Sequence, residues 1–203
     1  MIVSTLAQLD AVYDVRPLPP SLRKVADRVT PHYGALIAAS PFAVLATAGP
    51  EGLDCSPRGD RPGFARVQDG KTLVIPDRRG NNRIDSLRNI VRDPRVALLF
   101  LIPGSGTTVR VNGTARISAD PDLLASLSED GHAPRTALLV TVEAVYFQCA
   151  RAIMRARLWD PAARVDPKDL PSPGAILAAM TADEVGGPAY DAEWPGRAAK
   201  SLW

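Results

Sequence analysis

Ahead of Pro41 the apolar residues recur at helical spacing. From Pro41 onward they alternate or run together between Gly-, Pro- and Asp-rich breaks. The first part predicts short helices. One covers Thr5–Tyr13, with Ser4 as N-cap and Leu6, Leu9 and Val12 on one face. A second covers Ser21–Val29, and a third starts at Pro31, carries His32, Tyr33, Leu36 and Ile37, and ends near Ser40. The second part predicts about six strands. Phe42–Ala48 and Leu53–Pro57 flank a Gly-Pro-Glu-Gly turn, and Phe64–Val67 and Thr72–Ile75 flank Asp69-Gly70, a hairpin signal. Val96–Ile102 is continuously apolar and reads as buried on both faces, while Thr108–Ser118 alternates, with Asn112-Gly113 reading locally as a turn. Thr136–Phe147 is a long β-rich run. Helices are expected at Asn82–Val91, with Asn82 and Asp85 as a capping box, at Asp122–Glu129, capped by Asp120 or Pro121, and at Cys149–Leu158. The Pro-rich tail after residue 161 carries one expected helix, Gly174–Thr181. Tight hairpins and antiparallel spacing argue for a small β-barrel with helical additions.

Composition adds bounds. At 203 residues the chain can bury a substantial core without covalent cross-links, and 46% hydrophobic with 23% charged residues is ordinary for a globular protein. A net charge of +2 gives no general attraction to nucleic acid or membranes. No apolar run approaches the roughly 18–20 residues of a membrane span. Cys55 and Cys149 stand far apart, which suits a reducing cytoplasm and buried, inert thiols. The two histidines and two cysteines have no metal-ligand spacing. Gly104-Ser105-Gly106 lacks the third glycine of a dinucleotide fingerprint, and there is no Gly-x-x-x-x-Gly-Lys-Ser/Thr loop.

Three clusters could carry chemistry. Arg78-Arg79-Gly80-Asn81-Asn82-Arg83 would place guanidinium groups and unpaired backbone N–H groups at a helix start, which suits an anion; it reads equally well as a solvated turn. Cys55-Ser56-Pro57-Arg58-Gly59-Asp60 could present amides and one Arg to a heteroaromatic edge, or form a surface turn with an Arg–Asp pair. Arg151, Arg155 and Arg157 precede Trp159, which could stack on a planar ligand or anchor a basic surface.

Taken in order, SPFAVLATAGPEG, SPRGDRPGF, LVIPDRRGNNRIDSLRNIVRDPRVALLFLIPG, VRVNGTARIS and VTVEAVYFQCARAIMRARLWDP resemble the pyridoxamine 5′-phosphate oxidase-like flavoproteins. More narrowly they resemble a bacterial subgroup of FMN-dependent enzymes of unknown substrate, over Ser21–Pro161. The resemblance implies a mainly β, α+β fold. It would be a six-stranded antiparallel split β-barrel over 41–161, with a helical extension over 1–40 and a tail over 162–203. It also implies a cytoplasmic homodimer with FMN at the subunit interface and a small-molecule substrate. Ile75, Pro76, Asp77, Asn81, Asn82 and Arg83 would hold the ribityl phosphate. Ser56, Pro57 and Arg58 would run along the isoalloxazine ring, with Arg58 near its N1–C2=O edge. Arg110, Arg157 and Trp159 would come from the partner subunit. The family often has Ser-Arg-Lys where this chain has Asn-Asn-Arg, and many subgroup members have His where it has Gln148. The segment around Gly113 would be continuous strand, with Gly113 at a bulge or close approach. No catalytic acid, base or substrate-phosphate site emerges. Rival readings are a deazaflavin (F420) or haem ligand on the same fold, with His32 and His132 outside the motifs, and a flavin-binding sensor or storage protein. A nucleic-acid module is the most distant.

Overall fold

The computed structural model describes residues 2–13 and 16–202. Its centre is one antiparallel sheet of seven strands: β1 (Phe42–Gly49), β2 (Gly52–Gly59), β3 (Arg66–Val67), β4 (Thr72–Asp77), β5 (Arg95–Leu101), β6 (Thr108–Ser118) and β7 (Thr136–Gln148), in the order β2-β1-β5-β6-β7-β4-β3. The strands number one more than the six-stranded barrel implied; the Phe64–Val67 run shrinks to the two-residue β3, in which Arg66 and Val67 pair with Val74 and Leu73 across Asp69-Gly70.

Alternation decides which face is buried. Ala43, Leu45, Val96, Leu98, Phe100, Val109 and Val111 point into one core, with Leu138, Val140 and Val145 from β7. The alternate residues of β1 and β5 are half-buried, so β5 is not buried on both faces, as its uniform hydrophobicity suggested. That role falls to β4: Leu73 and Ile75 enter the main core, while Val74 packs on the other side with Leu127 and Ala137. The second layer is supplied by α5 (Pro121–Ser126), capped by the Asp120 carboxylate on Leu123 N–H.

Gly113 is not a turn residue. The register of β6 on β7 shifts between Asn112 and Gly113, where β7 carries Glu143 as an extra residue. A side chain there would meet the Thr141 carbonyl, so a bulge and a close backbone approach coincide at the one residue type that permits both.

The helices depart more from expectation. The first, α1 (Leu6–Val12), is capped by Thr5 rather than Ser4. The second, α2 (Pro19–Arg23), is short, because Ala26 leaves the helix to bridge Val145 in both directions, at 3.0 and 2.8 Å. Next, α3 (Pro31–Ala38) seats Ile37 in the core and ties back through Tyr33 Oη to Lys24 O at 2.6 Å. Then α4 (Asp85–Arg92) lies across β1, burying Ile90; Asn89 Nδ2 donates to Thr47 Oγ1 at 3.1 Å and Ser86 Oγ to Asp54 at 2.5 Å. The fifth, α5, has been described, and α6 (Arg151–Arg155) is shorter than its Cys149–Leu158 forecast. Among the described residues the tail holds two α-helices rather than one, α7 (Pro173–Met180) and α8 (Gly187–Ala199), which pack chiefly on each other. Asp191 of α8 accepts from Ser172 Oγ at 2.5 Å and Gly174 N at 2.8 Å, closing the start of α7. Among the described residues, no helix is long and apolar enough to cross a membrane.

Candidate functional site

A flat sheet in this order would hold β2 and β4 five strand spacings apart, about 24 Å. Yet Arg58 Nη2 of β2 lies 3.9 Å from Asp77 Oδ1 of β4, and Asp60, just past the end of β2, pairs with Arg78, just past the end of β4, at 2.6 Å. The sheet therefore curls until its ends approach, and a cleft of about 840 Å³ opens there. Its walls are the second half of β2, the loop from Arg78 to Ile84, the first turn of α4, and residues 131–136 ahead of and entering β7. That volume is within the usual range for small-molecule sites.

The cleft gathers many of the residues singled out in the sequence. Ser56, Pro57, Arg58, Asp77, Asn81, Asn82 and Arg83 line it. Ile75 and Pro76 are buried in the strand leading to it. Arg110, Arg157 and Trp159 do not line the cleft of their own chain. Arg110 stands over the Tyr146 ring at 5.2 Å, Arg157 pairs with Asp160 at 2.6 Å, and Trp159 Nε1 donates to Ser105 O at 2.6 Å. The same cleft takes in groups that the sequence reading passed over: Asp54, His132, Arg135 and Thr136. His132, which lies outside every sequence motif, stands in the wall. The usable signal was the strand pairing, because the end of β4 must face the start of β7 (Asp77 opposite Thr136), which brings the loop before β7 to the loop after β4.

The Arg-rich loop is not a helix start. Asn82 and Ile84 both adopt positive φ (60° and 53°), Ile84 occupies the cap position without a side-chain cap, and α4 begins only at Asp85. The capping box of Asn82 with Asp85 therefore does not form. Instead Asn81 Oδ1 accepts from Arg83 N at 3.1 Å, and Arg83 Nε bonds Asp85 at 2.8 Å. Arg79 and Arg135 make no side-chain hydrogen bond or ion pair with the described residues, so their charge is available to a ligand.

Arg58 is the most constrained cation. Its Nη1 donates to Ser56 Oγ at 2.7 Å and Pro57 O at 2.9 Å, fixing the guanidinium plane, yet its Nε is buried without a partner. Thr136 Oγ1 is the other buried side-chain atom without a partner among the described residues. Burial pushes the Asp77 carboxyl above its usual range, with Arg58 pulling the other way. Arg61 clamps the neighbouring loop by pairing with Glu129 and with Asp130, the latter at 2.8 Å. Both cysteines are exposed, against expectation, and Cys55 lies at the cleft. No cluster of His, Cys, Asp and Glu among the described residues could hold a metal ion.

No curated protein sequence matches the chain significantly. Similar solved structures include HupZ of Group A Streptococcus (18% identity, 60% of this chain and 94% of that one, TM-score 0.48). Another is a candidate pyridoxamine 5′-phosphate oxidase from Lactobacillus delbrueckii (24%, 60% and 95%, TM-score 0.48). A third is a Clostridium acetobutylicum protein related to general stress protein 26 (18%, 58% and 86%, TM-score 0.46). The sequence profile described as pyridoxamine 5′-phosphate oxidase matches residues 29–149, from the segment before α3 through the end of β7. That match spans more than half of the chain, and the protein belongs to the pyridoxamine 5′-phosphate oxidase family, whose members commonly bind flavin.

Proposed function

We propose that the cleft binds FMN and that the protein is an FMN-dependent oxidoreductase acting on a small molecule. The observation that carries this reading is the pair of buried, unpartnered polar atoms, Arg58 Nε and Thr136 Oγ1, in a cleft whose mouth holds Arg79 and Arg135 uncommitted. Leaving such atoms without a partner costs roughly 1–3 kcal/mol each, which a polar ligand would recover.

The residues present fit the group. Arg79, Arg83 and the backbone around Gly80, Asn81 and Asn82 offer donors for a phosphate, and Gly80 has open space where a side chain would stand. Ser56, Pro57 and Arg58 offer a strand edge and a cation to a planar ring. Bound FMN would supply hydride and electron transfer, while the protein binds, orients and shields it.

The reading extends to a split barrel that works as a homodimer, in the cytoplasm. The outer face of the sheet carries Val44, Ala46, Leu99 and Leu101 half-buried, with Arg110 in register beside Leu99, a surface suited to a second copy. Arg110, Arg157 and Trp159, which serve no cleft of their own chain, would then reach the partner's.

The test is the absorbance spectrum of the purified protein with mass identification of the released chromophore, followed by titration of the stripped protein. FMN bound or taken up is expected. A protein that neither carries nor takes up FMN overturns the reading, and a released deazaflavin or haem replaces it. Bound FMN without turnover by NAD(P)H and common acceptors would leave a flavin-storage protein. Sedimentation analysis reads the dimer separately.

A further inference from the structure

Three polar side chains converge where the sheet ends meet. Asp77 lies between the other two: Arg58 Nη2 is 3.9 Å away on one side, and Thr136 is its direct partner across the β4–β7 ladder on the other. Directly opposed residues share a face of the sheet, with Cβ atoms about 4.5–5.5 Å apart. All three line the cleft.

Each has hydrogen-bonding capacity that the protein leaves unused. Arg58 Nε–H is a buried donor without an acceptor, while both anchors of Nη1 hold the guanidinium plane still. The Thr136 hydroxyl is buried without a partner, on a β-branched side chain with few rotamers. The Asp77 carboxyl makes no hydrogen bond with the described residues, whereas the other two cleft carboxyls are taken, Asp54 by Ser86 and Asp85 by Arg83. The row thus reads donor, acceptor, donor.

We propose that Arg58, Asp77 and Thr136 form a recognition triad for a cyclic imide edge, a ring C=O, N–H and C=O in succession. The inference rests on the FMN reading, since the pyrimidinedione edge of the flavin ring is such an edge, and it moves Asp77 from the ribityl phosphate to the ring. A carboxylate beside a phosphate would repel it, whereas opposite an imide N–H it accepts a charge-assisted hydrogen bond. Arg58 opposite one ring carbonyl and Thr136 opposite the other would complete the set. An imide carried by the substrate has the same chemistry, and the experiment separates the two sources.

Binding of FMN and of N3-methyl-FMN, which lacks the imide proton, is compared in the full-length protein and in Asp77→Ala. The wild type is expected to bind the methylated flavin about tenfold more weakly or worse, as for the loss of one charge-assisted hydrogen bond, and Asp77→Ala to bind the two nearly alike. A second measurement needs no variant: the N3 proton of bound FMN is expected to exchange with water more slowly than that of free FMN by NMR. Equal binding of both flavins by the wild type, or an N3 proton that exchanges as in free FMN, overturns the assignment to the flavin while leaving FMN binding intact. If such a protein instead discriminates between uracil and N3-methyluracil with FMN already bound, the imide belongs to the substrate. Failure to bind FMN at all defeats the FMN reading and the triad with it.

Discussion

Gly113→Ala tests the bulge on which the centre of the sheet depends. A Cβ at this position would fall inside the carbonyl oxygen of Thr141, 3.0 Å from its carbon and 3.4 Å from Glu143 N. These are backbone atoms of β7 and cannot rotate aside. They also belong to the bulge itself, where Asn112 pairs with Ala144 and Gly113 with Val142. Overpacking costs about 1–3 kcal/mol where side chains can yield, so an obstacle made of backbone sets the cost near the top of that range. For a chain of this size each kcal/mol is worth about 2–4 °C, so the melting temperature is expected to fall by roughly 6–12 °C. Scanning calorimetry or circular dichroism reads it. A fall of under about 2 °C would show that β6 and β7 can separate at the bulge without cost, and the close approach would not be a constraint.

Arg79→Ala is expected to weaken FMN by about 1.5–3 kcal/mol, ten- to a hundredfold, while leaving riboflavin affinity unchanged; Arg83→Ala should cost less because Asp85 already holds that guanidinium. Equal losses for FMN and riboflavin would remove Arg79 from the phosphate. Asp93 accepts from Arg95 side-chain and backbone N–H groups, which lower its carboxyl to about 2. Its folded value lies below the usual one, so its stabilising contribution is present above about 3.8 and disappears as pH falls through about 2. An NMR titration of the Asp93 carboxyl should show that midpoint, and Asp93→Asn should flatten the acid limb of stability there. Asp191→Ala removes the acceptor shared by Ser172 and Gly174 and is expected to raise hydrogen exchange across α7 and α8 while the sheet stays protected.

The strands were legible because alternation and turn chemistry agree along them: Thr108–Ser118 matches β6 end to end, and Asp69-Gly70 turns the short hairpin as its residues dictate. The helices were less so. Ser21–Val29 has helical spacing, but pairing of Ala26 with β7 outweighs it. The last helix, α8, takes Pro188 in its first turn, where proline fits, but holds Pro195 within it, a signal that ordinarily breaks a helix. At the site, Asn82 followed by Asp85 resembles a capping box, and the left-handed backbone at Asn82 and Ile84 defeats it. An isoleucine in that conformation has no sequence signature. His132, Arg135 and Thr136 escaped notice because a loop after α5 gains meaning only once β7 is laid beside β4.

The curl that brings β2 to β4 also joins residues that are far apart along the chain. The cleft borders include residues 54–58 on one side and residues 131–136 on the other. A ligand seated there would act as a removable staple across this seam. At a hundred times its dissociation constant it would add about 2.7 kcal/mol to the folded state. Much of that gain would be felt locally, at the sheet ends that the Arg58–Asp77 and Asp60–Arg78 pairs bring together. The stripped protein should therefore loosen first at the seam.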